Sequence, residues 1–406
     1  MSRQESAVRT DEEAVVVGSL FDMDEGAAPQ VPHHDAPPAL DITAVPLGDV
    51  LEHDKVRYNT NNCYAYHPDP AAPWRLVKDT TKPPQQPADY DAVLNEVATG
   101  VWVDWFHTHY RVVVVPRRHL AWMKAASNFA ICKAGMSPMY ADDVADVEAT
   151  TPVGDTFARC DKTVPTSGYF VRTDRVSLKD GVHGIGPYFG LAQIVEGAVT
   201  ARGGHQGIDQ KTAVAKFFLF PWRTDMHEHR EFRAFVRDGR VTALSQQSLY
   251  TPNRILAALG PAGDADADAR RHQVVTNWCR ILVPYLETTV VPRLREAATD
   301  PNGLLAAGSF VADVTLLGPT QGRDAEGPEC VDLTAPERLT PYFIEPNTFG
   351  FRYASGSSLF SWVDDYAQLY GIAPDSGQPN DEGEPQQRRV YVRYTSPPGA
   401  TSASTS

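Results

Sequence analysis

The sequence predicts an α+β fold of two subdomains with disordered ends, and three observations lead there. Short β-branched and aromatic runs recur between polar or Pro/Gly breaks, among them "GYFVRTD", "AVAKFFLFPW", "SFVADVTLL" and "PYFIEPN"; runs bounded in this way are strands. Asp238-Gly239 splits "EFRAFVRDGRVTALSQQSLY" into two such runs, the sequence sign of a two-residue hairpin. Val274, Trp278, Ile281 and Tyr285 then repeat at helical spacing between about residues 270 and 298.

The elements follow in order. Residues 1–40, rich in Ala, Pro and acids, are expected to form a disordered tail. Residues 41–160 form an N-terminal subdomain, interrupted by the Pro-rich connector "TTKPPQQPAD". Within it "VWVDWFHTHYRVVVV" (101–115) alternates and then becomes β-branched, which predicts a strand. The acidic residues 141–150 open a helix. Residues 161–374 hold the strands and the helix already named, with Pro284 and Pro292 expected to kink or divide that helix. "GPTQGRDAEGPECVDLTAPERL" is an insertion in a hairpin. Residues 375–406 are a C-terminal segment and tail.

Composition removes several function classes. A formal net charge of −14 disfavours gripping nucleic acid by its phosphates, and membrane-surface binding for the same reason. The aliphatic run "VVVV" at 112–115 is far too short to span a bilayer. Five cysteines, scattered and without a CxxC pair, argue against a disulfide framework or a structural zinc site and fit a reducing, cytoplasmic setting. No Walker A, GxSxG or HExxH run occurs. The pairs His107/His109 and His227/His229 lack a third spaced ligand, so solvated or hydrogen-bonded histidines are expected.

The chemistry concentrates near "YFIEPNTFG". Residues two apart on a strand share a face, so Glu345 and Asn347 present their oxygens together. Asp313 interrupts the apolar run "FVADVTLL". Two carboxylates and an amide suit Mg²⁺, which takes one or two protein carboxylates plus substrate phosphates. The spacing leaves a second arrangement open: Asp313 paired with an arginine, and Glu345 facing solvent. Upstream, "FVRTDRVSLKDGVHGIG" offers Arg172 and Lys179 before a Gly-containing loop, a composition that can cradle phosphates or be an ordinary charged loop. "AKFFLFPW" can wall a purine slot or be plain core. "EFRAF" puts Glu231 and Arg233 on one face, toward phosphates or in a surface ion pair.

Four ordered blocks together resemble the cell division cycle protein 123 family: "FVRTDRVSLKDG", "REFRAFVRDGRVTALSQQ", "FVADV" and "FIEPNTFG…SSLFSW". The resemblance spans about residues 100 to 370. It implies an ATP-grasp fold in which two α/β subdomains sandwich a nucleotide, with 161–374 as the nucleotide- and metal-binding region. It implies that Asp313, Glu345 and Asn347 hold Mg²⁺, that Arg172 and Lys179 contact phosphates, that Arg233 lies near them, and that Lys216 and Phe217 lie near the adenine. The sequence departs from the family pattern at Arg172, where Lys is usual, at Asp174 (Asn), at Glu345 (Asp) and at Thr348 (Pro).

The same resemblance implies an ATP-dependent assembly chaperone that binds the gamma subunit of translation initiation factor 2. ATP-grasp chemistry also admits a carboxylate–amine ligase working through an acylphosphate, and a nucleotide-binding scaffold without turnover. A ligase needs convergent cations for the acceptor carboxylate, and Arg175, Arg237 and Arg352 are the candidates.

Overall fold

A computed structural model of the chain describes residues 37–130, 135–154, 156–157, 168–203, 207–208, 213–318, 338–353, 355–372 and 388–396. The strands among them are β1 (Ala39–Pro46), β2 (Tyr66–Asp69), β3 (Ala72–Lys78), β4 (Arg111–Pro116), β5 (Tyr169–Arg172), β6 (Val214–Pro221), β7 (Glu231–Arg237), β8 (Arg240–Gln246), β9 (Phe310–Leu317), β10 (Thr340–Asn347) and β11 (Arg389–Ser396). The fold is mixed α+β and divides into two units. Among described residues, one unit is His107–Trp222; the other comprises the chain before it and from Arg223 onward.

The His107–Trp222 unit is built on an antiparallel sheet in the order β4-β6-β5. Strand alternation sends Val113, Val115, Val171, Ala215, Phe217 and Leu219 to one face. There they pack with Leu120 and Met123 of the helix Arg117–Ala130, and with Ile194 and Val195 of the helix Leu191–Thr200. The acidic stretch is the helix Ala141–Thr150, whose Asp142 and Asp143 occupy the first turn, where the helix dipole favours negative charge.

The second unit holds a six-stranded sheet in the order β1-β11-β8-β7-β9-β10. β11 runs parallel to both β1 and β8, and the remaining neighbours are antiparallel. One face meets the helix Ala265–Tyr285, with the Trp278 ring 5.9 Å from that of Phe232. On the other face Phe235, Ala243 and Val311 pack with Phe349, Phe360 and Trp362, from the chain that follows β10. The β7–β8 turn is the expected one: Asp238 and Gly239 have φ of 52° and 81°, the pair of positive values a tight hairpin needs.

Several expectations change. Residues 101–106 are not strand, because Thr99–Phe106 is a helix burying Trp102 and Val103; the strand starts at Arg111. As expected, Pro284 and Pro292 mark where the helical run divides: the α-helix ends at Tyr285, a π turn covers Leu286–Val290 behind the missing N–H of Pro284, and Pro292 sits in the first turn of the helix Val291–Ala297. Ala39 and Leu40, assigned to the tail, begin β1, and the C-terminal segment contributes β11. The rest of both tails and most of the hairpin insertion lie outside the described residues. Cys63 and Cys279 are free thiols; Cys132, Cys160 and Cys330 also lie outside. Among the described residues no helix is long and apolar enough to cross a membrane.

Candidate functional site

One row of polar residues crosses the six-stranded sheet. Register places Thr43 opposite Arg393, Arg393 opposite Ser245, Ser245 opposite Arg233, Arg233 opposite Asp313, and Asp313 opposite Glu345. Directly opposed residues point to the same face, so the predicted metal ligands do share a face with Arg233. A bulge between Phe343 and Glu345 sets that register.

The charges pair closely. Arg233 Nε and Nη2 donate to Asp313 Oδ1 and Oδ2 at 2.8 and 2.7 Å, and Nη1 donates to the Gly356 carbonyl at 2.9 Å. Asn347 Nδ2 donates to Asp313 Oδ2 at 3.3 Å. Of the two arrangements the sequence left open, Asp313 therefore adopts the arginine pair. Glu345 is half-buried, not fully solvated. Burial of Arg233 opposes its charge. The carboxylates of Asp313, Glu345 and Glu231 outweigh that burial and hold the guanidinium above its ordinary pKa.

The rest of the row fastens a loop. Ser245 Oγ accepts from the Leu359 N–H at 2.9 Å. Arg393 grips Asp365 with two bonds of 2.7 Å and lies 4.3 Å from the Phe360 ring centre. The "SGSSLFSW" run is thus bound to the sheet by the row itself. From outside the sheet, Thr60 Oγ1 accepts from the Trp362 N–H at 2.7 Å, and the Asn59 N–H donates to the Ser358 carbonyl at 2.6 Å.

Sequence reasoning missed Asn59, Thr60, Ser245, Gly356 and Arg393. A signal existed for Asn59 in "YNTNN", since Asn59 takes a φ of 50°, a region Asn tolerates better than most residues. A cavity of about 250 Å³ opens at the β1 end of the row, lined by Thr43, Arg57, Tyr58, Asp365 and Arg393. It lies away from the carboxylates, since Thr43 and Glu345 stand on opposite edge strands.

The remaining predicted residues belong to the His107–Trp222 unit. Arg172 is buried at the end of β5, with Phe218 opposite it on β6. Lys179 is exposed on the following loop. That loop is tied down where the Val182 N–H donates to Thr200 Oγ1 at 2.9 Å. Gly181 is required there, because a Cβ would stand 2.6 Å from the Gly197 carbonyl. Lys216 is exposed, and Phe217 has 0% exposure in the core. Lys216 and Phe217 are adjacent on β6, so their side chains face opposite sides of the sheet. Phe218, two positions from Lys216, shares its face with Arg172. Phe220 and Tyr110 continue that aromatic surface, their ring centres 6.0 Å apart.

Asp313, Glu345 and Asn347 supply the oxygen donors Mg²⁺ takes, but not a cage. Among the described residues no group of three or more His, Cys, Asp or Glu is placed to hold a metal. Two carboxylates and an amide are donors of the kind Mg²⁺ takes together with substrate phosphates. Asp313 would offer the lone pairs Arg233 leaves, Glu345 a carboxylate and Asn347 its carbonyl.

No family model matches the sequence, and no curated protein matches it. Among solved structures, the chain is similar to Cdc123 from Schizosaccharomyces pombe, at 10% identity and a TM-score of 0.38. That match covers 75% of this chain and 98% of the other. A C-terminally truncated Cdc123 from the same organism gives 11% identity and a TM-score of 0.39, covering 75% of this chain and 97% of the other.

Proposed function

We propose that this chain binds ATP with Mg²⁺ in an ATP-grasp manner and serves as an ATP-dependent assembly factor for translation initiation factor 2, through its gamma subunit. The observation that carries the nucleotide reading is geometric: strand register brings Asp313, Glu345 and Asn347 to one face beside Arg233. Two carboxylates and an amide are donors that a Mg²⁺ shared with phosphates takes. When bound, Mg²⁺ would neutralise phosphate charge beside these acids. Arg172, Lys179 and Lys216 are the cations for the phosphates, and Phe218 is the ring for the base.

The partner rests on the sequence resemblance, through "REFRAFVRDGRVTALSQQ" and "FIEPNTFG…SSLFSW". The ligase alternative is less supported. Arg237, one of its acceptor cations, lies 5.9 and 5.6 Å from the Phe349 and Tyr370 ring centres and 3.3 Å from Asp238.

The test has two parts. ATP with Mg²⁺ should raise the melting temperature, because a ligand at a hundredfold excess over Kd stabilises by about 2.7 kcal/mol. Purified gamma subunit should then be captured more tightly with ATP than without it. An unmoved melting temperature with every purine nucleotide would defeat the nucleotide reading. ADP or AMP release on adding a carboxylate and an amine would favour the ligase.

A further inference from the structure

Charges of both signs line the cavity at the β1 end of the sheet. Its volume, about 250 Å³, is the space of roughly eight liquid waters. The walls are residues 43–46 of β1, Arg57 with Tyr58, Asp364 with Asp365, and Arg393 of β11. Two of the four charges satisfy each other: Arg393 and Asp365 hold together through two bonds of 2.7 Å, with side chains 20% and 13% exposed. Arg57 is held far less closely. Its side chain is 57% exposed, and its ion pair with Asp49 is long, at 3.7 Å. Asp49 has nearer partners, since the Tyr58 hydroxyl donates to its Oδ2 and His53 Nδ1 stands 3.0 Å from its Oδ1. The fourth charge, Asp364, is exposed, and its N–H donates to Ser361 Oγ at 3.0 Å, which fixes the turn that carries it.

Apolar surface joins the charges. Val45 and Tyr58 both line the cavity and are buried in one small cluster with Val50, Leu249 and Leu359. That wall is set by its own packing before any ligand arrives. A small cavity with an apolar wall and a few placed polar groups is the usual form of a small-molecule site. It is separate from the proposed nucleotide site, because β1 and β10 are opposite edges of the sheet.

We propose that this cavity binds a free α-amino acid with an uncharged side chain. The α-carboxylate accepts from the Arg57 guanidinium, and the α-ammonium donates to Asp364. The side chain lies against Val45, Pro46 and the Tyr58 ring. A simple anion would meet the repulsion of Asp364, and a simple cation that of Arg57. A zwitterion carries both charges on one carbon and answers both residues within one small volume.

The test titrates the full chain with L-leucine, L-leucinamide and isocaproate, followed by calorimetry and saturation-transfer NMR. Leucinamide lacks the carboxylate, and isocaproate lacks the ammonium. Leucine should bind, and each analogue should bind about tenfold or more weakly, as loss of a charged hydrogen bond dictates. Arg57→Gln should abolish the preference for leucine over leucinamide and keep that over isocaproate; Asp364→Asn should do the reverse. Both side chains are exposed, so both variants should fold. Saturating ATP with Mg²⁺ should leave leucine binding unchanged. Absence of binding by leucine, valine and methionine alike overturns the proposal. So does equal binding of the three probes, or a preference that neither variant alters. Displacement of leucine by ATP also overturns it, and that result leaves the nucleotide reading standing.

Discussion

Arg233 and Asp313 face each other across the β7–β9 ladder, and the guanidinium takes both carboxylate oxygens. Side-chain exposure is 12% for the arginine and 3% for the aspartate, so the pair is largely removed from water. An aspartate inside an apolar strand reads as an acid in need of a cation. Here the adjacent strand supplies one. A bound Mg²⁺ would share Asp313 with Arg233 and lean on Glu345 for its other carboxylate.

Asp313→Asn should therefore destabilise the fold, although removing a carboxylate from an acidic cluster looks favourable in sequence. Breaking one side of a buried pair costs about 3–5 kcal/mol, because the partner charge stays buried. Urea unfolding measures it. Arg233→Met with Asp313→Leu should recover much of the loss. A double variant as unstable as the sum of the two singles would show that the pair is not the cause.

Gly356→Ala tests the loop. An added Cβ would collide with Asn59 Oδ1. Overpacking of this kind costs about 1–3 kcal/mol. Asn59→Ala in the same chain should return part of that cost. An unchanged denaturation midpoint in Gly356→Ala would mean the loop is looser than its hydrogen bonds indicate.

Neighbouring residues on β6 should give opposite signatures. Phe217→Ala should cost about 3–5 kcal/mol of stability, as truncation of a buried ring does. Lys216→Ala should leave stability within about 0.5 kcal/mol, as surface changes do. It should still weaken ATP binding about tenfold through one lost charged hydrogen bond. Calorimetry with ATP and Mg²⁺ separates the two. Unaltered ATP affinity in Lys216→Ala removes that side chain from the site.

His229 sets an acid limit. Burial pushes its pKa from 6.5 down to about 4. The fold therefore favours the neutral ring. Stability from this group is complete above pH 6.5 and is lost as pH falls toward 4, on the order of 2 kcal/mol. His229→Phe should flatten the urea midpoint between those pH values. An equally steep fall in the variant would assign the acid sensitivity elsewhere.

Local pattern made much of this legible. The hairpin at Asp238-Gly239, the strands carrying Asp313 and Glu345, and their common face all follow from turn chemistry and the two-residue strand period. The same period puts Lys216 and Phe218 on one face of β6 and Phe217 on the other. The rest depends on pairing between distant segments. Nothing local in "YNTNN" says that Thr60 will meet Trp362, or that Arg393 will stand beside Ser245. The Arg233–Asp313 partnership likewise exists only once β7 lies against β9.

The place of β11 governs the order in which the chain can be finished. It is inserted between β1 and β8, yet it is synthesised more than a hundred residues after either. Until residues 389–396 leave the ribosome, β8 shows an open edge to any other nascent strand. The His107–Trp222 unit is contiguous among the described residues and can settle first, while the surrounding unit waits. A stop codon before Arg389 would leave the β8 edge open to foreign strands, so the synthesis of residues 389–396 is what ends that exposure.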